Sequence, residues 1–198
     1  MVRADREVAV LQDLMRHGRG VLALTGHLGS WEAGIPYLAG RGLPVTAVWK
    51  PQANPYLAGW LDGLRRGLGL EAIPMPEARE GVRDALRAGK LVALVADQAP
   101  IRGDIRVPFF GRPTRTFAGA GHFAALTGAP VVVGAIFAEA DGGFRASVEV
   151  LDEAPRGERD ELVLRIATLY RAGLERLIRA APEQYLWTHR LWREEAAP

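Results

Sequence analysis

The sequence contains no cysteine, and this absence excludes several kinds of site at once. Without a thiol the chain cannot form a disulfide, a cysteine nucleophile or a thiolate metal centre. Lysine is almost absent as well, since Lys50 and Lys90 are the only lysines among 25 basic residues. Because arginine supplies nearly all the positive charge, a single arginine is weak evidence for an anion-binding site.

Long apolar runs are also missing. No stretch reaches the roughly 18 unbroken apolar residues that a membrane-spanning helix needs, and the charged N-terminal residues do not resemble a signal peptide. The net charge of +2 gives no reason to expect a nucleic-acid partner. The four histidines show no metal-ligand spacing, so we expect neither a metal nor another cofactor.

The 198 residues, 48% of them apolar, suit a single domain over 1–198 with a sizeable core. Predicted strands alternate with predicted helices, which favours an α/β fold with a mostly parallel central sheet flanked by helices. The predicted strands are Val21–Leu24, Val45–Trp49, Glu71–Ile73, Leu91–Ala96, Pro130–Ala138 and Phe144–Val150. The predicted helices are Val8–Leu14, Glu32–Ala39, Asn54–Leu68, Glu80–Ala88, Phe117–Leu126 and Asp160–Arg179, and Ile101–Gly111 is predicted as a connection.

The most informative segment follows the first predicted strand. His27 comes just past the carboxyl end of that strand, where open α/β sheets build their sites. A glycine turn and then Ser30, a plausible N-cap, lead into a helix with Glu32 in its first turn. A carboxylate that accepts from one ring nitrogen fixes the tautomer and leaves the other nitrogen available as a base. We therefore predict a His27–Glu32 pair that deprotonates a hydroxyl, the alternative being an ordinary hydrogen-bonding histidine.

Three further residues carry charge at positions suited to a site. Arg65 and Arg66 come late on the predicted 54–68 helix and can clamp a phosphate or a developing oxyanion, or simply face solvent. Asp97 ends the strongly apolar 91–96 strand. Its carboxylate can orient an arginine or His27, or cap a loop.

An aromatic and small-residue region follows. Phe109 and Phe110, before Gly111, can line an apolar channel or pack in the core. Gly119, with the small residues 120–121, allows either a ligand or a neighbouring helix to approach the backbone closely.

The order of several sequence blocks resembles the lysophospholipid acyltransferase superfamily. More narrowly, it is similar to the late acyltransferases of lipid A synthesis, whose relatives include phosphatidylinositol mannoside acyltransferases. The resemblance runs from about residue 20 to 192. The blocks are GHLGSWE, the 54–69 helix with its arginine pair, LVALVADQ, VPFFGRPTRTFAG, LTGAPVV and PEQYLWTHRLW.

The resemblance implies a glycerol-3-phosphate-acyltransferase-like fold and the transfer of a fatty acyl group. The donor would be a thioester on acyl carrier protein or coenzyme A, and the acceptor a hydroxyl of a lipid or glycolipid such as a lipid A precursor. His27 would be the general base, Glu32 would orient it, and no acyl-enzyme would form. Arg65 or Arg66 would meet the acceptor phosphate or the oxyanion.

The resemblance also assigns the remaining substrate-binding residues. The block from Phe109 to Gly111 and the region 116–126 would border the acyl chain, and Asp97 would bind substrate. Arg115 and Gly119 complete this predicted set. Two other functions stay open: a thioesterase or other hydrolase that uses the same pair to activate water, and a non-catalytic lipid-binding remnant.

An aromatic and basic tail predicts peripheral contact with a membrane surface, because Trp and Tyr favour the interface and Arg favours anionic head groups. We expect this contact at the cytoplasmic face of the inner (plasma) membrane. Family members usually carry an N-terminal membrane-anchoring helix, and only 26 residues precede His27, so we expect either a truncated member or a sequence whose start is lost. The tail residues are Tyr185, Trp187, Arg190, Trp192 and Arg193.

Overall fold

The structure, a computed structural model, describes residues 2–16, 18–50, 52–68, 70–98, 104–189 and 191–192, the side chains of Arg66 and Asp104 excepted. Within these residues the helices are α1 (Asp5–Met15), α2 (Trp31–Gly40), α3 (Pro55–Gly67), α4 (Ala78–Arg87), α5 (Gly119–Thr127) and α6 (Arg159–Ala180). The strands are β1 (Val2–Arg3), β2 (Val21–Thr25), β3 (Val45–Trp49), β4 (Glu71–Pro74), β5 (Leu91–Val95), β6 (Asp104–Phe109), β7 (Arg112–Phe117), β8 (Val131–Ala138) and β9 (Phe144–Asp152).

The described strands form a seven-stranded main sheet in the order β1-β9-β8-β2-β5-β3-β4. Every neighbouring pair in it is parallel except β8 and β9, which are antiparallel. Helices connect most parallel neighbours, as a parallel sheet requires. The sheet confirms the predicted α/β fold with a mostly parallel centre.

Strands β2 and β5 are neighbours in the middle of this sheet, although about 70 residues separate them in sequence. They pair in register from Val21 opposite Leu91 to Thr25 opposite Val95. Residues that follow the two strands therefore emerge side by side at the carboxyl edge. His27 and Asp97 both lie two residues past the last pair.

Two apolar layers cover the sheet. On one face, buried residues of α1 and α2 such as Leu11 and Ile35 pack with Val21 of β2. On the other face, Leu22 and Leu24 of β2 pack with α4, α5 and α6. Alternation along the strand directs successive side chains to opposite layers.

The predicted connection Ile101–Gly111 is wrong over its described part, because β6 and β7 form an antiparallel hairpin. The two residues of its turn, Phe110 and Gly111, both have positive φ, as a tight type I′ turn requires. The predicted helix Phe117–Leu126 is corrected as well. Phe117 is the last residue of β7, and α5 begins at Gly119.

Candidate active site

The turn that follows β2 holds His27 at the carboxyl edge of the sheet. Its backbone is fixed on both sides, since Gly29 N–H donates to the Gln184 carbonyl and Ser30 N–H to the Ile136 carbonyl. Gly29 has a φ of +60°, and a Cβ there would collide with the Ile136 carbonyl oxygen. Glycine is therefore required at this turn. The His27 side chain is 31% exposed, so it is accessible from solvent.

The hydrogen-bond partner of the His27 ring is Asp97. The His27 Nδ1 atom lies 2.7 Å from Asp97 Oδ1, and the His27 backbone N–H donates to Asp97 Oδ2 at 2.9 Å. The Asp97 side chain is only 3% exposed. Both carboxylate oxygens are thus used to hold the same residue.

This contact sets the protonation of the pair. Because an ionised carboxylate only accepts hydrogen bonds, Nδ1 carries a proton and donates a hydrogen bond to Asp97. The hydrogen bond to Asp97 raises the pKa of His27 above its ordinary value, although burial acts in the opposite direction. Burial acts to raise the pKa of Asp97, but the hydrogen bonds and charge of His27 hold it below its ordinary value. The second ring nitrogen, Nε2, has no hydrogen-bond partner among the described residues and can act as a base.

A glycine allows the two side chains to approach. A Cβ built on Gly26 would lie 3.2 Å from Asp97 Cβ and 3.0 Å from the Leu174 side chain. A larger residue at this position would push Asp97 or the α6 side chain away. The glycine before His27 thus has a packing reason of its own.

Glu32 occupies a different position from the one predicted. It lies exposed in the first turn of α2, and no hydrogen bond joins it to His27 in the part of the chain that the structure describes. Its negative charge acts instead on Arg65, where it opposes in small part the lowering of the Arg65 pKa by burial. The structure therefore gives Asp97 the contact that the spacing suggested for Glu32, and a catalytic role for Glu32 stays a prediction.

Arg65 is buried beside the carboxyl end of β3, with 6% of its surface exposed. Its Nη1 donates to Asp62 at 2.7 Å, and its guanidinium lies over the ring of Trp49. Nη2 has no hydrogen-bond partner among the described residues. Burial lowers the pKa of Arg65, while the charges of Asp62 and Glu32 act to raise it. The Arg66 side chain lies outside the described residues.

The predicted aromatic block lies on the α6 side of the sheet. Phe109 is fully buried in that core, and Phe110 packs edge-on against it with ring centroids 4.7 Å apart. The Phe110 N–H donates to Glu175 of α6 at 2.7 Å. Arg115 and Gly119 lie at the β7–α5 junction, where the Phe117 ring fills the space a Gly119 side chain would need. Substrate binding by this block stays a prediction.

An apolar cavity lies on the opposite face, between the sheet and helices α1 and α2. Its lining includes Thr25 and Trp31, which flank the turn that carries His27. Small residues leave the space open along the sheet. They are Ala23, Ala93, Gly134 and Ala146. Its lining runs from this turn to Leu11 of α1.

Comparison with known proteins places the chain in a family. The family model described as bacterial lipid A biosynthesis acyltransferase matches residues 6–194. The chain belongs to that family. The predicted resemblance is therefore confirmed, and with it the acyltransferase class of the family.

Curated relatives of this lipid A acyltransferase family member are phosphatidylinositol mannoside acyltransferases. The protein of Mycobacterium tuberculosis strain H37Rv is 28% identical over 136 residues, which cover 65% of this chain and 43% of the relative. That of Mycolicibacterium smegmatis is 28% identical over 138 residues, 67% of this chain and 45% of the relative. The matched part thus spans less than half the length of these relatives.

Sequence reasoning missed three features of this site. Tyr170 and Arg171, buried on α6, contact the ends of β2 and β5. Arg171 follows Ala167 by four residues and precedes Leu174 by three, so a charged residue on the apolar face of a helix was the available signal. The apolar cavity has no sequence signal beyond the small residues of its strands.

Proposed function

We propose that this chain transfers a fatty acyl group from a thioester to a hydroxyl of a lipid or glycolipid. The observation that carries the proposal is the His27–Asp97 pair at the carboxyl edge of the sheet, with Nε2 of His27 unpartnered among the described residues. Family membership supplies the reaction class. The thioester carrier is acyl carrier protein or coenzyme A, and acceptors of the right class include lipid A precursors and phosphatidylinositol mannosides.

The reaction follows from the state of the pair. Nε2 of His27 takes the proton of the acceptor hydroxyl while the oxygen attacks the thioester carbonyl carbon. The buried Asp97 carboxylate stabilises the imidazolium that forms. The carbon–sulfur bond then breaks, and the thiolate leaves with the proton that His27 returns. An ester and a free thiol result, without an acyl-enzyme.

The apolar cavity beneath α2, about 100 Å³ in volume, suits the first methylene groups of the acyl chain. Its lining is almost wholly apolar, and Thr25 and Trp31 bring it next to the His27 turn. A carbonyl group held at His27 would therefore place its hydrocarbon chain along the small residues of the sheet. Burying each methylene contributes about 0.8 kcal/mol to binding.

Arg65 suits the negative charge of an acceptor head group. It is a buried cation with one nitrogen unpartnered among the described residues, and a cavity lined by Trp49, Asp62 and Arg65 lies at this position. Replacing Arg65 and Arg66 by Gln is expected to weaken use of a phosphorylated acceptor about tenfold or more, since one hydrogen bond to a charged group contributes about 1.5–3 kcal/mol. Unchanged kinetics in the folded double variant would contradict this assignment.

Work at a membrane surface is supported by part of the aromatic tail and by α3. Of the tail, Trp187 is exposed, Tyr185 is buried and Trp192 donates to Thr114, while Arg190 and Arg193 lie outside the described residues. The outer face of α3 exposes a larger set of apolar side chains. They are Tyr56, Leu57, Trp60, Leu64 and, just past the helix, Leu68. No helix in the described part of the chain is long and apolar enough to cross a bilayer.

Vesicle co-sedimentation tests the membrane proposal. The double change Tyr56→Ser and Trp60→Ser is expected to reduce binding to anionic vesicles at low salt, because Tyr and Trp anchor at the interface. Leu126→Ser removes an exposed apolar side chain elsewhere and serves as the control. No binding by the parent, or equal loss in both variants, would contradict a membrane-binding face on α3.

The proposed reaction is tested with a fatty acyl thioester, with and without lysolipid or glycolipid acceptor. Thiol release that depends on acceptor, with an acylated product seen by mass spectrometry, supports acyl transfer. Equal thiol release without acceptor would identify a hydrolase. Lipid binding without turnover would identify a binding remnant, and either result overturns the proposal.

A further inference from the structure

Helix α6 carries a charged residue in the middle of its buried face. Arg171 is completely buried, and its neighbours on the helix, Tyr170 and Leu174, belong to the apolar core. Burying a cation away from water is unfavourable unless its donors are satisfied. Such a residue is therefore expected to hold several specific partners.

Arg171 donates three hydrogen bonds to two separate parts of the chain. Nη1 donates to the Asp97 carbonyl at 3.0 Å, just past β5. Nε donates to Thr116 Oγ1 and Nη2 to the Arg115 carbonyl, both at 2.9 Å and both on β7. The guanidinium also lies over the Phe109 ring. The planar fork of arginine is suited to such a three-way contact, which a lysine ammonium cannot reproduce.

The preceding residue holds the neighbouring strand. The Tyr170 hydroxyl donates to the Thr25 carbonyl at 2.8 Å, at the end of β2. Thr25 precedes His27 by two residues, and Asp97 is itself the partner of His27. Two consecutive residues of one helix thus hold the ends of the two strands that carry the pair.

We infer that Tyr170 and Arg171 are positioning residues that align His27 with Asp97. They fix the backbone from which each side chain projects, so that both carboxylate oxygens of Asp97 reach His27. Neither residue needs to touch a substrate. The inference rests on the proposed function only in treating this pair as the reactive base.

Two tyrosines, Tyr170 and Tyr185, are further titratable groups near the His27–Asp97 pair. Burial raises the pKa of Tyr170 and of Tyr185, and the charge of Asp97 raises both further. Both phenols therefore stay protonated near neutral pH, and Tyr170 keeps its donor. The Tyr185 hydroxyl is buried near Asp97 but makes no well-formed hydrogen bond among the described residues, and so it donates none to the backbone at the end of either strand.

The test is an NMR titration of the His27 ring, assigned by its loss in His27→Ala. Tyr170→Phe and Arg171→Lys each keep most of the side-chain volume but remove hydrogen bonds that hold the ends of β2 and β5. The elevated pKa of His27 is expected to fall in both variants, and acyl transfer to fall about 10–100-fold, the order expected for a small misplacement of a catalytic group. Ile178→Ala, a fully buried change on the same helix, is the control for lost stability.

The outcomes separate positioning from packing. A His27 pKa that falls in Tyr170→Phe and Arg171→Lys but not in Ile178→Ala supports the inference. An unchanged His27 pKa in both Tyr170→Phe and Arg171→Lys, or an equal fall in all three variants, overturns it. Because the titration needs no turnover, an inactive parent with this pattern would contradict the acyl-transfer proposal and leave the positioning role intact.

Discussion

Replacing Asp97 by Asn tests the central contact of the site. The amide keeps the shape of the side chain but removes the charge that faces the imidazolium formed during proton transfer. Asp97 accepts at 2.7 Å from Nδ1 and at 2.9 Å from the backbone N–H of His27. If the amide oxygen keeps the backbone contact, its NH₂ group points at Nδ1 and favours the tautomer with the proton on Nε2. That tautomer cannot act as the base.

Two effects therefore lower the rate of Asp97→Asn. Loss of a hydrogen bond to a charged group costs about 1.5–3 kcal/mol, which corresponds to about 10–150-fold in rate at about 1.4 kcal/mol per factor of ten. The wrong tautomer adds to this loss. Because transfer needs neutral His27, the parent rate is expected to rise with pH through a midpoint above the ordinary histidine pKa. The midpoint of Asp97→Asn should fall, since this variant lacks the carboxylate that raises the pKa of His27 in the parent.

The assay is acyl transfer measured as a function of pH with saturating thioester. Asp84→Asn, which alters an exposed carboxylate paired with Arg83, is the matched control and should behave as the parent. Circular dichroism shows whether each variant is folded. Folded Asp97→Asn with the parent's rate and midpoint would refute the argument that Asp97 orients His27 and stabilises its charged form.

Three further outcomes are expected. His27→Ala should lower transfer about 10²–10⁴-fold without loss of fold, because a general base contributes this much; near-parental transfer by folded protein would exclude the base. Glu32→Gln should leave the pH midpoint unchanged, because no hydrogen bond joins Glu32 to His27 among the described residues, and it should lower the rate less than His27→Ala does, with Glu32→Asp the mildest of the three; a midpoint shift like that of Asp97→Asn would restore Glu32 as the orienting residue. Ala93→Leu should favour shorter acyl thioesters, because the added carbons enter the cavity beneath α2; an unchanged ratio of rates for long and short chains would place the acyl chain elsewhere.

The sequence was sufficient to predict six of the seven described strands of the main sheet, β1 excepted, and the position of His27 past a strand end. Strands such as Leu91–Val95 are short apolar runs between turn signals, and that pattern is local. The partner of His27 depends on strand order instead. Glu32 is five residues away in sequence and Asp97 is seventy, and only the pairing of β2 with β5 brings Asp97 close. No local periodicity encodes that neighbour relation.

The β6–β7 hairpin shows why a local pattern can also mislead. Pro108 and Pro113 are typical of loops, but they face each other across the antiparallel pair, and proline is tolerated where a strand needs no ladder donor. The buried residues alternate correctly along both strands. They are Val107, Phe109, Thr114 and Thr116.

The in-register pairing of β2 and β5 also restricts how related chains can change in length. A one-residue deletion within 21–27 would draw His27 back by about 3.3 Å and turn its side chain to the other face of the sheet. Asp97 would stay in place, and the contact would be lost even though every other residue was retained. The same holds for 91–97. Insertions and deletions among homologues that keep this contact are therefore expected to fall outside these two segments.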